Sequence, residues 1–252
     1  KPVIDAYLAE GFDIDEEGFY LERSVGVYDA VCDRSLLTLA QTWPCPQAVV
    51  AAQRNLDLNL HLLHADGTAE TGLSRRQDYG TRSVPLTLAS CYLLAHNMHP
   101  NPMYVAAADM LWRQACALDG VRYVARLGEL LSLAGVLLTY GDPPPTDAAL
   151  PDDFARLFPH NGLWRLRRGP LSATFFRGVT RLLSLTCGEA ELTSMKISQT
   201  YFGDGRFIAE TMERTERGIV LRSSGRQRPH RPGYELPLGR AVPPEQWETM
   251  RL

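Results

Sequence analysis

The feature that most constrains this chain is a change in the spacing of its apolar residues around three consecutive prolines, Pro143 to Pro145. Before the prolines, apolar residues recur every three or four positions, which is the period of an amphipathic helix. Two such series are Tyr28, Cys32, Leu36, Leu39, Trp43 and Val49, Ala52, Leu56, Leu60, Leu63. After the prolines, short runs such as LWRLRR and LSATFF have a period of two and are separated by glycines. The second pattern is typical of antiparallel strands.

This change of period predicts an α+β protein with three segments. Residues 1–140 are expected to form helical hairpins, because the connections between successive helical patterns are short. Residues 141–160 are expected to be a linker, since consecutive prolines cannot continue a helix and favour an extended spacer. Residues 161–252 are expected to form an antiparallel β-sandwich, with a proline-rich, irregular tail from Arg226 onward.

Composition excludes some classes of partner. A net charge of -3 over 252 residues argues against a nucleic-acid-binding protein that works through a basic surface. No apolar run has the length of a membrane-spanning helix and no signal peptide is visible, so no membrane partner is expected and the localisation stays open. The sequence begins at Lys1 without an initiating methionine, and a fragment of a longer protein is therefore one expectation.

Two histidine pairs have a spacing that could bind a metal ion, His61 with His64 and His96 with His99. No acidic residue completes a recognisable ligand set in either pair. The sequence therefore predicts no metal and no other cofactor.

One connection between helical patterns is unusually rich in hydrogen-bonding groups. It reads ETGLSRRQDYGTRSVP and covers residues 70 to 85. Arginine suits bidentate recognition of carboxylates and sulfates. Because the segment has many donors and few acceptors, an anionic ligand is one interpretation. The alternative is that Asp78 pairs with one of the arginines and caps the next helix.

A second segment, DIDEEGFYLERSVGVYDAV from residue 13, resembles the DG-x-Y-x-E and Y-x-x-Y region of the heparinase II/III-like and alginate-lyase group. The run GPLSATFFRGVTRLLSLTCGEAELTSMKIS is also similar to the sandwich of that group. The resemblance implies an α/α toroid followed by an antiparallel β-sandwich. Five or six helices are about half of a closed toroid, so a second copy of the chain or a missing N-terminal region is expected to cover the open helical layer.

The resemblance also implies β-eliminative cleavage of an acidic polysaccharide, with a tyrosine as acid or base. Tyr28 is the first candidate for that role and Tyr20 the second. The expected substrate-binding residues lie near the same cleft or at the junction of the two parts: Glu22, Arg75, Arg76, Gln77, Asp78, Tyr79, His160 and Asn161. In this hypothesis the arginines bind a carboxylate, Gln77 binds a hydroxyl and Tyr79 stacks on a sugar ring.

Two alternatives remain open from sequence. The segment SVGVYDAV has no histidine where these lyases place one, and this favours a non-catalytic carbohydrate-binding or assembly module. A hydrolase that uses paired carboxylates, such as Glu22 and Asp78, is the other alternative.

Overall fold

A computed structural model describes residues 2–118, 127–201, 204–216 and 218–224. The described residues contain six helices, followed along the chain by nine strands. The helices are α1 Pro2–Ala9, α2 Tyr28–Thr42, α3 Pro46–Leu62, α4 Leu86–Met98, α5 Pro102–Leu118 and α6 Leu127–Tyr140. The apolar series that start at Tyr28 and Val49 thus form α2 and α3, as predicted. The tail from Arg226 lies outside the described residues.

Helix α4 is the centre of the helical part. Nearly all of its side chains are buried, and it lies against α2, α3, α5 and α6. A helix that is apolar all round has to be enclosed by other elements, and this composition explains its central place. Prolines occupy the first position of both α3 and α5, where the missing N–H costs no helical hydrogen bond.

The strands form one antiparallel sheet of five and two separate hairpins. The sheet runs in sequence order through β1 Asp153–Phe158, β2 Leu163–Arg168, β3 Leu171–Phe176, β4 Leu183–Cys187 and β5 Ala190–Met195. The hairpins are β6 Ser198–Tyr201 with β7 Asp204–Arg206, and β8 Thr211–Thr215 with β9 Gly218–Arg222. Mixed helices and antiparallel strands confirm the α+β prediction, whereas the toroid and the sandwich stay predictions.

The sheet and the helices share one hydrophobic core. Phe158, Leu163 and Phe176 from the sheet belong to the same buried cluster as Leu56 and the other core residues of the helices. Phe19 packs edge-to-face against Phe158, with ring centroids 5.8 Å apart. This aromatic pair joins the turn before α2 to the end of β1.

The predicted boundary between linker and sheet is wrong, because the sheet begins before residue 161. Residues 141–152 have no helix or strand, but β1 begins at Asp153, inside the range 141–160 that was expected to be a linker. The two acidic residues before Phe154 look like loop in sequence. Pairing with β2 from Asp153 to Phe158 makes them the start of a strand.

One apolar helix face is open to solvent in the described structure. Leu127, Leu131 and Leu138 of α6 are 54%, 63% and 88% exposed. The second copy or N-terminal region expected to cover the helical layer stays a prediction.

Candidate functional site

Asp78 organises the loop that sequence singled out. It is buried, and its Oδ1 accepts hydrogen bonds from the hydroxyls of Ser24, at 2.9 Å, and Ser74. Its Oδ2 accepts from the backbone N–H of Gly26 at 3.0 Å. These bonds tie the loop to the turn that leads into α2. Asp78 makes no arginine pair among the described residues, and the internal hydrogen bonds of its oxygens disfavour the role in substrate binding that sequence predicted.

These hydrogen bonds of Asp78 hold the loop so that Tyr28, the first residue of α2, lies next to Arg76. An Nη of Arg76 donates to the Tyr28 hydroxyl at 3.0 Å, and its guanidinium lies 4.6 Å from the centre of the tyrosine ring. Arg76 also contacts a carboxylate oxygen of Glu22 at 3.4 Å. The hydrogen bond from Arg76, a second one from Gln77 and the charge of Arg76 lower the pKa of Tyr28. Four predicted site residues thus form one cluster on the surface.

Arg75 lies beside this cluster and faces a second arginine, Arg23, which sequence reasoning missed. The backbone N–H of Arg75 donates to the carbonyl of Glu22 at 2.9 Å. Burial, followed by the charge of Arg75, lowers the pKa of Arg23. Arg23 has a φ of 52°, a conformation that is uncommon for residues other than glycine. An anion beside two arginines that act on each other would be stabilised, and the carboxylates of Asp15 and Glu17 already act on Arg23 in that direction.

Tyr20, the second candidate for the catalytic tyrosine, is not available to a substrate. Its side chain is buried and its hydroxyl donates to Asp33 Oδ1 at 2.7 Å. Burial and the neighbouring carboxylate raise the pKa of Tyr20 above its ordinary value. A tyrosine in this environment stays protonated, and its burial does not fit the catalytic role that was expected of it.

His160 and Asn161 form the turn between β1 and β2 and bind the loop before α2. Their backbone N–H groups donate to the two carboxylate oxygens of Glu17, at 2.9 and 3.0 Å. The Asn161 amide also donates to Asp15 at 2.7 Å. The two residues do lie at the junction of the helical and sheet parts, as expected, but their bonds attach one part to the other. Asn161 is buried, so the substrate-binding role expected of it is not supported.

A buried polar layer, which sequence reasoning did not find, lies between α3 and the sheet. Arg165 of β2 is 0% exposed, and it donates to the carbonyls of His61 at 2.9 Å and Leu63 at 3.1 Å and to the Thr174 hydroxyl at 2.7 Å. The carboxylate of Glu70 accepts from the hydroxyls of Thr174, at 2.6 Å, and Ser184. Arginine thereby binds the last carbonyls of a helix, which have no partner within the helix itself.

His64 completes this layer as a neutral residue. Its Nδ1 lies 2.8 Å from the Ser172 hydroxyl, and its Nε2 lies 3.7 Å from Glu70. Burial, followed by the charge of Arg165, lowers the pKa of His64 well below its ordinary value. The contact with Glu70 is therefore not an ion pair at neutral pH.

The sequence contains polar residues at alternate positions of β2, β3 and β4, but they can be recognised as one layer only when the strand register is known. Arg165 lies opposite Thr174 and Thr174 opposite Ser184 on β2, β3 and β4. A second row of Arg167, Ser172 and Thr186 runs parallel to the first. Alternate polar positions in three consecutive strands usually indicate a face exposed to water, and here they indicate a buried one.

A small pocket, open to solvent, lies above this layer, between the 70–85 loop and the strands β4 and β5. Its lining includes Glu70, Arg82, Arg181, Ser184 and Glu191. Arg82 bridges two carboxylates at the rim, Asp66 at 2.7 Å and Glu191 at 3.0 Å.

Tyr79 of the 70–85 loop contacts Arg181, which lines the pocket. It is 44% exposed, and the guanidinium of Arg181 lies 5.0 Å from its ring centre. The ring face that was expected to stack on a sugar is thus in contact with a buried arginine.

The histidines whose spacing could have suited a metal ion make contacts that are separate from one another. His61 lies against Asp57 and Arg156, His96 against Asn101 and His99 against Gln53. Among the described residues, no group of three or more histidine, cysteine, aspartate or glutamate side chains has the arrangement of a metal site.

Comparisons with protein-family models, with curated proteins and with solved structures give no match for this chain. Fold and geometry therefore define an α+β protein with a surface tyrosine–arginine cluster and a polar pocket. Within the described part of the chain, none of the helices combines the length and the apolar character needed to cross a membrane.

Proposed function

We propose that this protein acts on an anionic glycan by β-elimination and that Tyr28 is its acid–base residue. The observation that supports the proposal is the 3.0 Å hydrogen bond from Arg76 to the Tyr28 hydroxyl. A donor and a positive charge at this oxygen favour the phenolate, and the pKa of Tyr28 is lowered accordingly. A phenolate at the surface can reach a proton on a bound sugar.

In this reaction the Tyr28 phenolate removes the proton from C5 of a uronate residue. The electron pair moves onto the carboxylate, then forms a C4=C5 double bond as the C4–O4 bond breaks. The phenol formed at Tyr28 returns its proton to the departing O4. The developing charge on the carboxylate needs a cation close by, and Arg75 supplies one because its guanidinium makes no hydrogen bond or ion pair in the described part of the chain.

Replacement of Tyr28 by phenylalanine tests the proposal. With polygalacturonate, alginate, hyaluronan and heparan sulfate as a panel, we expect cleavage of at least one polymer by the parent protein. The Tyr28→Phe protein should lose about two to four orders of magnitude in kcat/KM, because the proton-transfer group is removed. Absorbance of the unsaturated uronate product measures the reaction.

Tyr7→Phe is the matched control, since Tyr7 is 69% exposed on α1. It should cleave as the parent does. Equal activity of the Tyr28→Phe protein would show that the catalytic assignment is wrong.

The pH profile gives an independent test of the same pair. Because the base is the phenolate, kcat/KM should rise with pH up to the lowered pKa of Tyr28 and level off above it. Arg76→Gln removes the largest cause of the lowering and should move this rise toward the ordinary tyrosine pKa. If the profile of the Arg76→Gln protein superimposes on that of the parent, Arg76 does not set the state of Tyr28.

A non-catalytic glycan-binding module is the second candidate, and one observation favours it. Among the described residues, the groups that act on the Tyr28 hydroxyl are Arg76, Gln77 and Glu22, and none is an imidazole. Saturable binding of a uronate polymer without any unsaturated product would favour this module. In that case the Arg75→Gln protein should bind more weakly and the Tyr28→Phe protein about as well as the parent.

A further inference from the structure

Arg181, in the connection between β3 and β4, has a buried side chain without a polar partner. It is 7% exposed and lines the pocket between the 70–85 loop and the sheet. Within the described residues its guanidinium makes no hydrogen bond and no ion pair. Its contacts are with the ring faces of Tyr79, at 5.0 Å, and Phe176, at 6.0 Å.

The Nε–H of Arg181 is buried and has no hydrogen-bond partner among the described residues, and a buried donor that is left unpaired is costly. Stacking on aromatic faces offsets only part of that cost. The two carboxylates that line the pocket, those of Glu70 and Glu191, do not offset the remaining cost. Glu70 already accepts from the backbone N–H of Gly72 and from two hydroxyls, and Glu191 pairs with Arg82 at 3.0 Å.

The position of the guanidinium is fixed by the loop. Gly80 has a φ of +70°, and a Cβ at that residue would lie 2.4 Å from an Nη of Arg181. The backbone of the loop therefore forms one wall against the guanidinium, and the ring of Tyr79 forms another. A side chain held in this way is preorganised for a ligand and loses little freedom on binding.

The pocket supplies further donors beside Arg181. The hydroxyls of Thr186 on β4 and Thr193 on β5 line it and make no hydrogen bond within the described part of the chain. A guanidinium together with neutral hydroxyl donors is a set that suits an oxyanion. The pocket is small and open to solvent, so it suits a single charged group at its mouth rather than a length of polymer.

We propose that this pocket binds an oxyanion, a carboxylate or a sulfate group, and that Arg181 is its principal ligand with Thr186 and Thr193 as supporting donors. The site is separate from the Tyr28 cluster and does not depend on any cleavage reaction. Binding to Arg181 can therefore be present whether or not the protein is a lyase.

Titration with sodium sulfate and with sodium glucuronate, at constant ionic strength adjusted with chloride, tests the site. Calorimetry and the thermal unfolding midpoint should show saturable binding of at least one of the two by the intact chain. Arg181→Gln should weaken that binding about 10-fold or more, because charge-assisted hydrogen bonds are lost. Glucuronate alone binding would assign a carboxylate, and sulfate alone a sulfate group.

Two further variants make the result specific. Arg214→Gln removes an exposed arginine from β8 and should leave the affinity unchanged. Arg181→Met removes the charge but keeps an apolar stem for Tyr79 and Phe176. In anion-free buffer it should be at least as stable as the parent, and the anion should no longer raise its midpoint.

The proposal is overturned if neither anion binds saturably to the parent. It is also overturned if the Arg181→Met protein is clearly less stable than the parent without anion, since Arg181 would then have a structural acceptor.

Discussion

Arginine side chains in this protein differ in what receives their hydrogen bonds, and this difference decides their roles. Arg165 has five acceptors inside the protein, three of them backbone carbonyls. Arg76 shares its donors between Tyr28 and Glu22 at the surface. Arg181 has aromatic faces and no acceptor in the described residues. All three residues are arginines, so only their surroundings separate the structural role of Arg165 from the roles that we propose for Arg76 and Arg181.

Arg165→Met should be strongly destabilising. The substitution leaves the carbonyls of His61 and Leu63 without these donors and removes a positive charge that interacts with buried Glu70. We expect a loss of about 3–5 kcal/mol in the free energy of unfolding, measured by urea denaturation.

Arg168→Met is the matched control on the same strand. The side chain of Arg168 is half exposed and pairs with Asp153, so its loss should cost at most about 1 kcal/mol. Equal losses in the two variants would contradict the structural role of Arg165.

At the scale of elements, α2 and α3 are joined by buried polar side chains as well as by apolar packing. Asp29 Oδ2 of α2 accepts from the amides of Asn55, at 3.2 Å, and Asn59, at 3.3 Å, on α3. Burial raises the pKa of Asp29 from its ordinary 3.8 to about 6. The folded protein therefore holds this proton at a pH where the unfolded chain has released it. Stability from this group is present below pH 3.8 and is lost as the pH rises to about 6.

Asp29→Asn should change the pH dependence of stability. Asparagine does not titrate, so the variant should gain about 2 kcal/mol relative to the parent as the pH rises from 4 to 7. Chemical denaturation at several pH values measures the difference. Asp109→Asn, at an exposed position on α5, should keep a nearly constant difference from the parent. A constant difference for Asp29→Asn as well would mean that Asp29 does not titrate near 6.

At the scale of the whole molecule, the hydrophobic core extends across the predicted boundary between the two domains. Apolar residues of the helices and of the sheet form one buried cluster. The Glu17 carboxylate binds the turn between β1 and β2, and Arg165 binds the end of α3. Two parts joined in this way are expected to unfold together.

Phe158→Ala tests this coupling. Phe158 is 2% exposed and packs on Phe19, so truncation should cost about 3–5 kcal/mol. Amide hydrogen exchange followed by mass spectrometry should show protection falling by a similar free energy in α3, in α4 and in β3. Leu157→Ala, at the neighbouring position that is 45% exposed, should change little. Loss of protection confined to the sheet would mean that the helices and the sheet are independent domains.

Sequence alone predicted helices before the three prolines and antiparallel strands after them, though it assigned β1 to the linker, and it placed Tyr28 and Arg76 among the candidate site residues. The period of apolar residues is a local property, so it can be read without knowing the fold. Tertiary structure decided the rest. It buried Tyr20 and Asp78, and it brought Arg165 against His61 and Leu63, about a hundred positions away along the chain. Whether a polar side chain binds its own protein or remains free for a ligand depends on neighbours distant in sequence, and no local pattern records them.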